Sequence, residues 1–93
     1  MENREYILLE DCCSHYSIEA SFIMSLNEHG LINLIQTEQS YAIDYEQLSL
    51  LEKYTHMHYE LDINLEGLEV IRHLLQKIND LQTEVKSLRS SML

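Results

Sequence analysis

Proline is absent from the 93-residue sequence, glycine occurs only at Gly30 and Gly67, and no low-complexity linker or internal repeat interrupts the chain. Such a chain has material for one modest core, which means one small domain with an appendage. Two isolated glycines leave no phosphate-cradling loop. No apolar run approaches the ~20 residues of a membrane span, and the opening residues lack the basic region and long apolar block of a secretory signal. A cytoplasmic location is the default expectation. Cysteine is limited to the adjacent pair Cys12 and Cys13, which does not readily bridge to itself and lacks the separated pairs of a zinc site. Both are expected as reduced core thiols. The histidines offer no better ligand set. His56 and His58, two apart on a predicted helix, point to different sides, while His15, His29 and His73 stand alone. Cys13 near His15 is proximity in sequence without a pocket. No catalysis, metal or cofactor is expected.

Positive charge is the other scarcity. From Met1 to Ile71, 14 acidic residues face only Arg4 and Lys53, a balance of -12; from Arg72 onward, Asp80 and Glu84 face Arg72, Lys77, Lys86 and Arg89, a balance of +2. An acidic body repels polyphosphate, whose binding draws on several Lys or Arg contacts and counterion release, and it attracts a basic protein face. For any single carboxylate the plainer reading is solvation and solubility.

What the sequence does have is a long amphipathic segment from Asn64 to Leu93. Ile71, Ile78, Val85 and Met92 fall at heptad position a, and Leu74, Leu81 and Leu88 at d. Before Leu75 the stripe is wider, with Leu68 and Val70 beside it, as on a helix docked to a globular body. Beyond Leu75 it narrows to a coiled-coil seam. Lys77 and Glu84 at g, with Gln82 and Arg89 at e, allow Glu84 to meet Arg89 of a parallel partner, although the orientation stays open. A homodimer is expected through Ile71, Leu74, Ile78, Leu81, Val85, Leu88 and Met92. The alternative, a seam packed inside one small domain, leaves too little chain to cover a helix of roughly 45 Å.

Ahead of that helix, Tyr6 to Leu9 reads as a strand turning quickly into a short helix that ends at Tyr16. Ser17 or Glu19 is placed to cap a second helix carrying Ile18, Phe22, Ile23 and Leu26, with Gly30 as its left-handed stop. Two short helices joined by a tight turn make a helix-turn-helix. Leu31 to Ile43 reads as a hairpin, a wing. Asp44 with Gln47 suggests an acidic capping box opening a third helix, on which Leu50, Tyr54, Met57 and Leu61 line one side before it ends near Asp62. Asn64 is placed to cap the final helix, and Glu66 suits its positive first turn. The expected fold is mainly α: a winged helix-turn-helix body over residues 1–70, and a C-terminal amphipathic helix over 64–93. Neither the second helix nor the wing contains Lys or Arg, the residues by which a DNA reader grips phosphates and bases.

The sequence resembles the MerR-like winged-helix proteins, and within them the CbpM chaperone-modulator group. The likeness rests on Asn27-Glu28-His29-Gly30-Leu31-Ile32, on Tyr41-Ala42-Ile43-Asp44, and above all on Glu60-Leu61-Asp62-Ile63-Asn64-Leu65-Glu66-Gly67-Leu68 running into Ile71, Leu74, Leu75, Ile78 and Leu81. Conventional MerR-type regulators place Arg early in the recognition helix and in the wing, where this chain has Met24 and Ala42. The resemblance implies a protein that binds the basic J-domain of a DnaJ/CbpA-like co-chaperone and keeps it from stimulating Hsp70. A MerR-type DNA-binding regulator is the alternative. No contact residues carry over from the family. The position of the acids around one helix junction nominates Glu52, Glu60, Asp62, Glu66 and Glu69 for partner binding.

Overall fold

In the computed structural model, which describes residues 5–92, the apolar run at Tyr6 forms a short strand, β1 (Tyr6–Leu8), that passes without a linker into helix α1 (Leu9–Tyr16). Leu9 and Cys12 on one side of α1 are buried. Ser17 closes the helix in the left-handed region, φ 56°, its N–H on the Cys13 carbonyl. It therefore ends α1 and does not cap the next helix. Glu19 holds the N-cap position of α2 (Ala20–Glu28), but its side chain accepts from the Ser21 hydroxyl at 3.2 Å and makes no bond to the helix backbone. Phe22, Ile23 and Leu26 form the buried stripe of α2, spaced as an amphipathic helix requires. Gly30, at φ 73°, turns the chain so that the Leu31 N–H reaches the Leu26 carbonyl at 2.9 Å, the left-handed stop that glycine makes without steric penalty.

The wing is the hairpin of β2 (Leu34–Gln36) and β3 (Tyr41–Asp44), closed by the Thr37 N–H on the Ser40 carbonyl at 2.8 Å. β3 lies in the middle of a three-stranded antiparallel sheet, with Ile43 opposite both Ile7 of β1 and Leu34 of β2. The expected strand and the expected hairpin are thus one sheet, which fixes the register that the turn sequence left open. Ala42 and Ile43 are fully buried under it.

Asp44 caps a single 3-10 turn, Tyr45–Gln47, by accepting from the Glu46 N–H at 3.0 Å. Gln47 does not close a capping box. Its amide instead clamps the Asn33 backbone, accepting from N–H at 2.8 Å and donating to C=O at 3.1 Å, and so ties the entry of α3 (Leu48–Tyr59) to the base of the wing. α3 buries Leu51 and Tyr54. It stops at Tyr59, earlier than expected, because the Ile63 N–H folds back on the Met57 carbonyl and Asp62 takes a left-handed φ of 57°. Leu61 consequently leaves the helical stripe and is 56 % exposed. Asn64 then caps α4 (Leu65–Met92), accepting from the Gly67 N–H at 2.8 Å as its position suggests.

The core gathers α1, α2, β3 and α3, with Ile7 of β1 and Leu34 of β2 at its edge; Cys12, Ile23, Leu26, Ile43 and Leu51 are fully shielded, and Leu68 is the only buried residue of α4. Ile71 is partly covered; Leu74, Ile78, Leu81, Val85, Leu88 and Met92 are all between 45 % and 85 % exposed. The seam is therefore not packed inside the domain.

Candidate functional site

The α3–α4 junction is where the fold concentrates constrained side chains. His58 points inward from the last turn of α3 and donates from Nδ1 to the Ile63 carbonyl at 2.8 Å. Its ring stacks on Phe22 of α2, centroids 4.6 Å apart and planes within 17°, and Tyr59 meets the same Phe22 edge-on at 5.2 Å. One aromatic of the second helix thereby fixes the direction in which the chain leaves α3. Between these elements lies a cleft of about 300 Å³ lined by Glu19, Ser21, Phe22, Ser25, Tyr59 and Leu65. Tyr59, in its wall, is 46 % exposed, and Leu61, in the connection to α4, is 56 % exposed.

The five nominated acids are all solvent-accessible, but they do different things. Glu52 faces α1 and accepts from the Tyr16 hydroxyl at 2.7 Å. Glu69 lies 2.6 Å from His29 Nδ1 and latches the end of α2 to α4. Glu60 pairs with His56 one turn earlier. Asp62 and Glu66 have no ion-pair partner among the described residues. Glu60, Asp62 and Glu66 thus share the junction with the exposed Tyr59 and Leu61, whereas Glu52 sits apart against α1. Sequence reasoning, which gave Tyr59 to a core edge or a protein interface, missed the exposure of Leu61, since helical spacing assigned Leu61 to the core side of α3. The only signal against that assignment was the Asp62–Ile63–Asn64 stop itself.

The helix-turn-helix and its wing are poor in positive charge. From residue 5 to residue 71, Lys53 on α3 is the only lysine or arginine, and α2, β2 and β3 have none. Residues 7–90 nonetheless match the family model of the MerR HTH family regulatory proteins. The chain belongs to the MerR helix-turn-helix family. Within the range of this MerR-type chain, the chaperone modulatory protein CbpM of Pseudomonas putida (strain W619) is 25 % identical over 81 residues, covering 86 % of this chain and 80 % of that protein. No solved structure matches. Of the two residues at which the sequence departs from the expected Arg positions, Ala42 is completely buried in β3 and Met24 is half-buried on α2.

No group of His, Cys, Asp and Glu among the described residues is arranged to hold a metal ion. No helix among them is long and apolar enough to cross a membrane. Both thiols are free, Cys12 fully buried and Cys13 partly so. Burial, and then the neighbouring Cys13, push the Cys12 thiol up to about 11, so it is protonated and a poor nucleophile at neutral pH.

Proposed function

We propose that this chain is a cytoplasmic chaperone modulator of the CbpM type, one that binds the basic J-domain of a DnaJ/CbpA-like co-chaperone and inhibits its stimulation of Hsp70. The observation that carries the reading is the charge of the scaffold: a winged helix-turn-helix with no lysine or arginine in its second helix or wing, on a body of balance -12. Such a surface repels duplex phosphates and draws in a positively charged helix. The similarity to a protein named chaperone modulatory protein agrees with it. The mechanism is occlusion without chemistry. The modulator covers the basic helix of the J-domain and the adjoining His-Pro-Asp loop, which Hsp70 then does not reach.

The contact face in this reading is the α3–α4 junction. Glu60, Asp62 and Glu66 supply the attraction, Tyr59 and Leu61 the apolar anchors that binding hot spots require, Glu69 adds charge beside them while holding His29, and Glu52, apart against α1, adds to the acidic field while holding Tyr16. The exposed seam of α4 pairs two copies. Binding of a purified J-domain is expected to weaken as salt rises, and E60K/E66K to slow association more than it speeds dissociation. Salt-independent binding that ignores both reversals removes the junction from the account.

A MerR-type DNA-binding regulator is the second reading, favoured by the match of the family model along body and helix alike. Anisotropy with the duplex flanking the chain's own gene separates the two. Specific binding at moderate salt establishes the regulator, and its absence alongside J-domain binding establishes the modulator.

A further inference from the structure

On the side of the body away from the junction cleft, α4 parts from α3 beyond Leu68 and leaves a groove of about 560 Å³. Three segments wall it: Gly30 to Asn33 with Gln47, the Leu50–Met57 side of α3, and the Arg72–Asn79 side of α4. Its floor is apolar, formed by Leu31, Leu50, Tyr54, Met57 and Leu75. The charges around it run against the rest of the molecule. The sequence holds 16 Asp and Glu, yet none lines this groove, while Lys53 and Arg72, the only lysine or arginine between residues 5 and 76, both do. Neither is ion-paired among the described residues. Amides from Asn33, Gln47, Gln76 and Asn79 complete the polar rim.

We propose that this groove binds a small amphiphilic anion, its head held between Lys53 and Arg72 and its apolar part laid over Leu50, Met57 and Leu75. Two cations without an ion-pair partner, on an apolar floor whose lining holds no carboxylate and whose nearest bonded one, Asp80, is occupied by the Gln76 amide at 3.1 Å, suit one anionic head on a hydrocarbon or aromatic body. The volume is that of a small-molecule site, whereas a partner helix needs an open face longer than this three-walled slot. A second copy docked on the α4 seam does not fill it either. At about 100° per residue, the centre of Arg72, Leu75, Gln76 and Asn79 lies on the order of 140° around α4 from the centre of the Ile71-to-Leu88 seam, with Leu75, at heptad position e, on the edge between them. The groove and the seam are centred on different faces of one helix and meet only at Leu75, and the ligand joins α4 to α3 beside the coiled-coil side. The inference stands independently of the co-chaperone reading.

The test is calorimetric titration of the full-length protein with decanoate below its micelle concentration. Decyl phosphate, decanol and decyltrimethylammonium serve as head-group variants, and thermal melts are run in parallel. Saturable binding of one decanoate per chain is expected, with decanol and the ammonium at least about tenfold weaker and a rise in Tm on saturation. Whichever of decanoate and decyl phosphate binds tighter identifies the head group within the same site. K53Q/R72Q, which alters two exposed side chains, is expected to weaken decanoate by about tenfold or more. Q76E, which places a carboxylate on the exposed rim one turn from Asp80, is expected to do the same, with the unliganded melt lowered only slightly by loss of the Gln76–Asp80 hydrogen bond. K86Q/R89Q is the control, because Lys86 and Arg89 border the shallower apolar groove of distal α4 with Ile78, Leu81 and Val85. Loss of binding in K86Q/R89Q with retention in K53Q/R72Q overturns the proposal. So does equal affinity for decanoate and decanol, or no saturable binding.

Discussion

Tyr16 donates a 2.7 Å hydrogen bond to Glu52, joining the last residue of α1 to the middle of α3 across 36 positions of sequence. The bond places a phenol against a carboxylate. Burial first, then the Glu52 hydrogen bond and charge, push the Tyr16 hydroxyl up to about 12 from an ordinary 10. The Cys12 thiol beneath it is pushed up to about 11 from 9, mainly by burial. In both cases the folded state holds its proton more tightly than the unfolded chain. The stabilisation is therefore complete below pH 9 and is lost as pH rises through 9 to 12, Cys12 contributing first and Tyr16 after it. Chemical denaturation at stepped pH is expected to show a falling midpoint across that window. In Y16F the upper half of the fall should be shallower.

Glu52 is thereby a structural residue as well as an acidic one. Y16F and E52Q are each expected to destabilise by about 0.5–1 kcal/mol, the low end for a hydrogen bond because Glu52 is exposed, and to be non-additive when combined. Asp62 to Asn, which breaks no bond seen in the fold, is expected to leave stability within about 0.5 kcal/mol. Denaturation midpoints of the four variants decide this. They also sort the nominated acids: a loss of partner binding in E52Q that tracks lost stability would take Glu52 out of the contact face.

Gly67 sits one turn inside α4, where the Asn64 cap leaves no room for a side chain. A Cβ at this position would stand 2.8 Å from Ile63 Cγ2 and 3.1 Å from the capping Asn64 oxygen. The Ile63 methyl is attached to a β-branched carbon next to the backbone, which is itself held by the Met57 carbonyl and by His58. Alanine would gain about 1 kcal/mol of helix propensity. It would also displace a cap worth about 1 kcal/mol and strain the packing of Ile63. G67A is expected to destabilise by about 1 kcal/mol net, and I63A/G67A to show less than the sum of the two single changes. A G67A protein more stable than the parent would show that the junction yields freely.

The regular parts of this fold were legible in the sequence because they rest on local rules. Spacing gave α2 its buried Phe22, Ile23 and Leu26, Gly30 its left-handed stop, and Asn64 its cap. What spacing could not supply were pairings between distant residues: β1 beside β3, Gln47 on Asn33, Tyr16 on Glu52, His29 on Glu69. Leu61 was misplaced for the same reason. Helical period extends a stripe until something stops it, and the stop here is the backbone bond from Ile63 to Met57. The candidate site was legible as a concentration of acid, not as a surface. The arrangement of Lys53 and Arg72 around one groove was invisible, since 19 positions apart on two helices they carry no motif.

The exposed seam of α4 yields the last prediction. Leu74, Ile78, Leu81, Val85 and Leu88 leave about half of each side chain in water, on a helix whose only buried residue is Leu68. Isolated helices of this kind are marginal unless the apolar face is covered. Pairing with a second copy covers it, and a β-branched residue at Ile71, Ile78 and Val85 with leucine at d favours two strands. I78E/L81E removes two layers from the middle of the seam while touching nothing in the core. Light scattering is expected to show a dimer for the parent protein and a monomer for I78E/L81E. The body should survive: near-UV signals from Tyr16 and Tyr54 should be retained, while far-UV helicity falls by the part of α4 beyond Gln76. If the parent protein is already a monomer at high micromolar concentration, the seam does not pair two copies. If I78E/L81E remains a dimer, the chains pair through another surface.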